Sequence, residues 1–360
     1  MKRRDFIQKA GVGSLAVGAA LTNSKSANAS PQFKWKMVTA WPKNFPGLGT
    51  NANLLAKMIT DMSGGRIKIK VYGAKELVPA FEVFDAVSKG VAEMGHSGAY
   101  YWKGKSEATQ FFSAVPFGLT AQEMNAWLYY GGGMELWREL YKPFGLIPTA
   151  TGNTGVQMAG WFNREINALS DLKGLKMRIP GLGGEVLKQA GGTPVSLPGG
   201  EIFTSLQSGA IDASEWVGPY NDLAFGLYKA AKYYYYPGWH EPGTTLECFI
   251  NEKAMSDLPK DLQVIVKQAC RIANQDMLAE YTARNNKALH TLVNKHKVQL
   301  KPLPNDVLKR LKKLSDEVVG DVAAKDPMSK KVYQSFTKFR EQVVAWHDIS
   351  ERAYLNARKL

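Results

Sequence analysis

A few residues carry charge in settings that argue against simple exposure. Arg178 sits between Met177 and Ile179-Pro180. A guanidinium offers a planar fork of donors that meets a carboxylate in two parallel hydrogen bonds. The alternative is a surface arginine, the usual fate of that residue, but the apolar flanks predict an interior strand ending near Pro180. Glu215 is hemmed by Ser214, Trp216 and Val217, whereas Glu241 lies in Trp239-His240-Glu241-Pro242-Gly243. Such carboxylates can ligate a hard cation, work with His240 as an acid/base pair, or pair with surface lysines. The last reading suits Glu241 better than Glu215. Gln157 lies in the alternating stretch Gly155 to Trp161, which predicts a strand. Its amide could hold a cation through oxygen and a substrate through NH2, although spacing alone marks an ordinary strand residue. The five histidines show no H-E-x-x-H pair, and two cysteines, Cys248 and Cys270, cannot build a zinc site. The cysteines could form one bridge, but two buried free thiols is the reading adopted. Gly181-Leu182-Gly183-Gly184 reads as a glycine loop, but it lacks the third glycine of a dinucleotide fingerprint and implies no nucleotide.

Composition bounds the rest. The chain has 360 residues, 45% hydrophobic and 22% charged, with a net charge of +14. That is globular composition with room for two lobes. The first residues read as an address. Arg3-Arg4-Asp5-Phe6-Ile7 resembles a twin-arginine signal, Ala10 to Leu21 is a weakly apolar stretch too short to span a bilayer, and Ala27-Asn28-Ala29 offers a cleavage site. Cleavage after Ala29 removes five basic residues and one acid, leaving a mature charge of +10. This favours anionic partners. The basic residues are dispersed, apart from Lys309 to Lys313, which reads as a solvated helix face, so nucleic acid is not implied.

The elements that must position these residues follow from periodicity. Lys34 to Ala40 and Arg66 to Tyr72 alternate as strands, with a loop from Trp41 to Thr50 and a helix from Asn51 to Ser63 between them. Strand, helix, strand predicts a βαβ unit and a mostly parallel sheet. The window Phe84 to Met94 resembles Phe203 to Ala213: each reads as a helix stopped by glycine, then an acidic turn into a strand. We read two similar α/β lobes facing across a cleft. His96 to Trp102 and Glu215 to Tyr220 are its predicted walls, because ligands sit at strand carboxyl ends. Tyr100 and Trp216 could wall an apolar ligand tail, with core packing as an even alternative. Asn221 and Trp41 fall near the same cleft. A strand from Thr244 to Asn251, a long helix from Pro259 to about His296, and helices from Asp306 to Leu360 interrupted near Asp326-Pro327 complete the chain.

Asp171-Leu172-Lys173-Gly174-Leu175-Lys176-Met177-Arg178-Ile179-Pro180 and Leu206-Gln207-Ser208-Gly209-Ala210-Ile211-Asp212-Ala213 resemble signatures of the solute-binding proteins of tripartite ATP-independent periplasmic (TRAP) transporters. The resemblance covers nearly the whole mature chain. Glu215-Trp216, where dicarboxylate and sialic-acid receptors carry a Gln-Glu-Asn-type sequence, is similar to the branch that binds 2-oxo acids and related monocarboxylates. The resemblance implies a two-lobed periplasmic-binding-protein-like α/β fold with a long C-terminal helical extension. It implies lobe I as 30–154 plus about 243–275, lobe II as 155–242 plus about 276–302, and a C-terminal unit of 303–360 that packs on the lobes or dimerises. Arg178 becomes the carboxylate clamp. Gln157, Glu215, the Trp216 carbonyl and Glu241 become ligands of Na⁺ or Ca²⁺, with Gln157, Trp216, Tyr100, Glu241, Asn221 and Trp41 facing the substrate. The ion resolves why carboxylates would stand beside an anion. The implied partners are the small and large permease subunits and a second copy of the chain; the implied place is the periplasm.

Two other readings stay open at this level. One keeps the receptor fold and assigns a dicarboxylate or sugar acid, which a second basic clamp residue would favour. The other is an exported enzyme using Glu215 and His240 on a metal-polarised acid, although no Ser/His/Asp, Cys/His or zinc constellation accompanies it.

Overall fold

The computed structural model describes residues 32–360, so the expected export signal lies outside the described residues. Eleven strands follow in chain order: β1 (Phe33–Thr39), β2 (Ile67–Tyr72), β3 (Met94–Ser97), β4 (Leu146–Asn153), β5 (Gly160–Phe162), β6 (Lys176–Arg178), β7 (Thr193–Val195), β8 (Ala213–Ser214), β9 (Tyr233–Tyr236), β10 (Thr245–Asn251) and β11 (Gln299–Pro302). They form two sheets, ordered β2-β1-β3-β10-β4 and β11-β9-β5-β8-β6-β7. The chain leaves the first sheet after β4, returns for β10, and crosses again to add β11. Two lobes therefore share several crossings.

The expected βαβ unit is present: β1 and β2 pair in parallel around the helix Leu48–Met62. This helix starts three residues earlier than its polar pattern predicts, taking in Leu48 and Gly49, both buried. The sheets are mixed rather than mostly parallel. β10 runs antiparallel between β3 and β4, and β5 runs antiparallel between β8 and β9. Each reversed strand enters where the chain crosses between lobes, which a local pattern cannot reveal. The two similar windows occupy equivalent places. Val83–Ser88 precedes β3, Gly199–Gln207 precedes β8, and both strands run into the cleft.

Two further expectations need correction. The strand predicted around Gln157 is only β5, Gly160–Phe162, and Gln157 lies in the connector before it. Its backbone bonds to a loop instead of a sheet: its N–H donates to Glu241 O (3.2 Å) and its carbonyl accepts from Gly238 (3.0 Å). Gly181 to Gly184 is the first turn of the helix Gly181–Gln189, not a loop.

The helix Lys260–His290 packs against β4, against the helix Leu48–Met62 and against Pro219–Phe225, and so joins both lobes. Cys248 and Cys270, on β10 and this helix, are free and buried in one apolar cluster. The C-terminal helices divide between the lobes. Asn305–Ala324 lies on Gly181–Gln189, while Pro327–Ile349 lies on the first lobe. The break between them has a local cause: the Asp326 side chain accepts from Ser329 N (2.9 Å) and Pro327 opens the next helix. Phe336 anchors that helix edge-on to Trp127 (5.2 Å), which stacks on Phe112 and in turn on Trp137. Each such pair adds roughly 0.5–1.5 kcal/mol beyond its buried area. No described helix is long and apolar enough to cross a membrane.

Candidate functional site

β6 and β8 pair in parallel with Arg178 opposite Ser214. That register delivers Arg178 and Glu215 side by side at the strand ends. Arg178 is 1% exposed, although arginine is seldom fully buried unless paired. Each of its nitrogens is engaged. Nε donates to Leu197 O (3.1 Å), Nη1 to Glu215 O (3.3 Å) and to Glu215 Oε1 in a short ion pair, and Nη2 to Tyr101 Oη (3.1 Å). The Trp216 ring lies under the guanidinium, 5.1 Å from its centroid. Tyr101 belongs to the first lobe, so the Arg178–Tyr101 bond crosses the cleft and the lobes are closed over the site.

A group of oxygens faces Arg178. Glu215 Oε2 and Gln157 Oε1 are buried without a hydrogen-bond partner. Glu241 Oε2 accepts from Thr244 Oγ1 (2.6 Å), and Gln157 Nε2 donates to Thr154 Oγ1 (3.0 Å) and Thr244 Oγ1 (3.2 Å). The Gln157 amide nitrogen is thus engaged while its buried oxygen is left without a donor. One ligand atom each of Glu215, His240 and Glu241 fall within 4.8 Å of one another. Burial pushes the Glu215 carboxyl up to about 7 against the opposing pull of Arg178. Burial, then the charge of Glu215, pushes Glu241 up to about 7 as well. Burial lowers His240 to about 4. Burial pulls Arg178 down as well, but the surrounding acids and phenols outweigh it and hold the guanidinium above its ordinary value. Two acids against one cation in a dry site lack a positive charge. A hard cation at their oxygens would supply it, and the donor set of two carboxylates and an amide suits such an ion.

The aromatic wall is larger than expected. Trp41 meets Trp216 edge-on (6.2 Å) and Tyr101 at a tilt (6.2 Å), and Tyr100 stands perpendicular to Tyr101 (4.6 Å). Tyr101, not only Tyr100, therefore reaches the polar centre. Trp41 is fixed from behind: its Nε1 donates to His96 Nδ1 (2.8 Å), and His96 Nε2 meets Asn51 Oδ1 (3.1 Å). The Asn221 amide is engaged by protein at both ends, donating to Pro46 O (2.8 Å) and accepting from Tyr281 Oη (2.6 Å). That ties the lobes together near the long helix. Asp222 beside it accepts from Trp161 Nε1 (3.0 Å), Tyr234 Oη (2.6 Å) and Val217 N (3.3 Å), bracing the wall behind Trp216. Sequence reasoning did not single out Tyr101, Thr244, Thr154 or Asp222 as site residues. Only Tyr101 had a local signal, because it falls within the predicted wall His96 to Trp102.

Residues 37–326 match the family model described as bacterial extracellular solute-binding protein, family 7 (DctP). The chain belongs to this family of extracytoplasmic solute receptors. It is 45% identical over 360 residues to a monocarboxylate 2-oxoacid-binding periplasmic protein of Nostoc sp., covering 99% of this chain and 98% of the relative. A TRAP periplasmic solute-binding protein of Pseudoalteromonas atlantica, solved with bound sodium and pyruvate, superposes with a TM-score of 0.88 at 45% identity. That match covers 90% of this chain and 98% of the other. A TRAP solute-binding protein of Bordetella bronchiseptica, a mixed-occupancy dimer with copurified calcium and picolinate, superposes at 0.89 with 38% identity, covering 91% and 98%. The family 7 receptor described here shares with both the two-lobed architecture and the long C-terminal helices.

Proposed function

We propose that this family 7 receptor binds a small 2-oxo or 2-hydroxy monocarboxylate, pyruvate or a near relative, together with Na⁺ or Ca²⁺. The observation that carries this reading is the buried Arg178 beside the inward-facing oxygens of Gln157, Glu215 and Glu241. Arg178 takes the carboxylate through its fork. Gln157, Glu215, Glu241 and the Trp216 carbonyl hold the ion, which supplies the positive charge the two acids lack. Trp216, Tyr100 and Trp41 enclose the remaining surface of the acid. Asn221 keeps the closed lobes in register through Pro46 rather than touching the acid.

Among the described residues Arg178 is the only lysine or arginine that is buried. One clamp cation favours a monocarboxylate over a dicarboxylate or sugar acid. The receptor reading includes no covalent step: closure about the long helix traps the acid and presents it to the small and large permease subunits. In this account lobe I comprises residues 30–154 and about 243–275, and lobe II comprises 155–242 and about 276–302. Residues 303–360 pack on both and pair two copies of the chain. Export by the twin-arginine route places the receptor in the periplasm.

A thermal-shift panel on chelator-treated protein tests the substrate class. Pyruvate, 2-oxobutyrate and lactate should raise the melting temperature only with Na⁺ or Ca²⁺ present, by the equivalent of ~2.7 kcal/mol at a hundredfold excess over Kd. A shift from succinate or a sialic acid alone would overturn the assignment.

A further inference from the structure

Two buried histidines sit near the cleft, and they differ in one respect. His96 uses both ring nitrogens, one toward Trp41 and one toward Asn51. His240 uses neither, although it is only 1% exposed. A buried polar group without a partner is uncommon in a folded protein and calls for an explanation. His240 is also firmly placed. Trp239 meets its ring edge-on (5.5 Å), and the backbone of the helix Gly181–Gln189 presses on its root. A Cβ on Gly183 would stand 2.9 Å from the His240 Cβ, so the glycine admits this approach. The ring cannot easily turn away to find a partner. Its Nε2 faces Glu215 Oε2 at 3.6 Å, beyond a hydrogen bond, and shares the small space bounded by Glu215 and Glu241.

We infer that His240 donates a hydrogen bond from Nε2–H to the oxygen on C2 of the bound acid, and so selects acids oxygenated at that carbon. The inference rests on the receptor reading above. In that reading Arg178 takes the carboxylate and the carboxylates of Glu215 and Glu241 turn to the ion, which leaves the C2 oxygen as the acid's remaining polar group. His240 is the adjoining buried donor with no other role. A site built to hydrogen-bond a substrate oxygen discriminates strongly against ligands that lack it, because the site's own polar group is then left unpaired.

The test is calorimetric titration of the whole mature protein with pyruvate, with and without saturating Ca²⁺. His240→Phe and His240→Leu remove the donor, and His240→Gln keeps an N–H. Ligand-free melting temperatures establish that each variant is folded. Loss of the donor should weaken pyruvate binding by roughly ten- to a hundredfold, and His240→Gln should recover most of that loss. The factor by which Ca²⁺ tightens pyruvate should be the same in every folded variant. Unchanged pyruvate affinity in the Phe and Leu variants would overturn the inference. So would equal weakening in a folded His240→Gln, or collapse of the Ca²⁺ factor, which would make His240 an ion ligand. A wild-type protein that binds no 2-oxo acid with any ion would remove the receptor reading instead.

Discussion

At the scale of single residues, the site depends on a buried ion pair. Arg178 is paired with Glu215, and its desolvation is offset by that carboxylate, by Tyr101 and by the Trp216 face. Removing one member of a buried pair costs about 3–5 kcal/mol, whereas replacing both by apolar groups is often neutral. Arg178→Met should therefore lower stability in the ligand-free protein by about that amount, and Arg178→Met with Glu215→Met should restore most of it. Chemical denaturation of the three proteins checks this cycle, and pyruvate binding should be lost in both variants. Arg178 was legible in the sequence because Met177 and Ile179-Pro180 flank it. Glu215 was legible because Ser214, Trp216 and Val217 surround it. Tyr101, Thr244 and Thr154 were not, since each acts through a partner far away in the chain. Asn221 shows the converse. It was expected near the cleft, and no local signal says that Pro46 and Tyr281 occupy its amide.

At the scale of elements, β10 carries a buried acid that the ligand site does not use. Glu247 accepts from Trp102 Nε1 (2.5 Å) and Tyr141 Oη (2.7 Å), with no cation beside it. Burial raises its carboxyl from 4.5 to about 8. The folded state thus holds a proton that the unfolded state has released. The stability this provides is complete below pH 4.5 and is lost as pH rises toward about 8. Glu247 alone contributes at most about 1.4 kcal/mol per pH unit to the slope in that window. Glu247→Gln keeps an acceptor for Trp102 and a donor for Tyr141, and it should flatten the fall across the window. Denaturation at both ends of the range would show it; an unchanged slope would assign the titration to another group. The sequence indicated β10 as a strand, but not its insertion between β3 and β4. Antiparallel placement depends on how often the chain crosses between lobes, and that is a property of the whole path. The strand predicted through Gln157 failed for a related reason: its backbone is claimed by Glu241 and Gly238, more than eighty residues on.

At the scale of the whole molecule, two surfaces matter: the one between the lobes and the one at the C-terminus. The exposed ion pairs Lys75–Glu201 and Lys103–Glu185 contribute little, up to about 1 kcal/mol each. Closure therefore rests on the buried contacts, Arg178 with Tyr101 and Asn221 with Pro46. At the other surface the helix Pro327–Ile349 is well packed at Val332 and Phe336, yet Trp346 is 61% and Ile349 74% exposed. One turn apart on the same helix, they form an apolar face suited to a second copy of the chain. Trp346→Glu with Ile349→Glu should yield a monomer of unaltered pyruvate affinity by light scattering and calorimetry; a wild-type monomer would dismiss that pairing. The two-lobed plan was readable from the similar windows at Phe84 and Phe203, because each places a helix, a glycine stop and a cleft strand in the same order. Acid and ion should bind as one event. The most direct measurement is pyruvate affinity by calorimetry as Ca²⁺ or Na⁺ is raised from chelated to saturating, in wild type and Glu215→Gln. Affinity should rise at least about tenfold with the ion in wild type, a coupling near 1.4 kcal/mol, and the rise should be lost in Glu215→Gln. Pyruvate binding equally well at every ion concentration would contradict it.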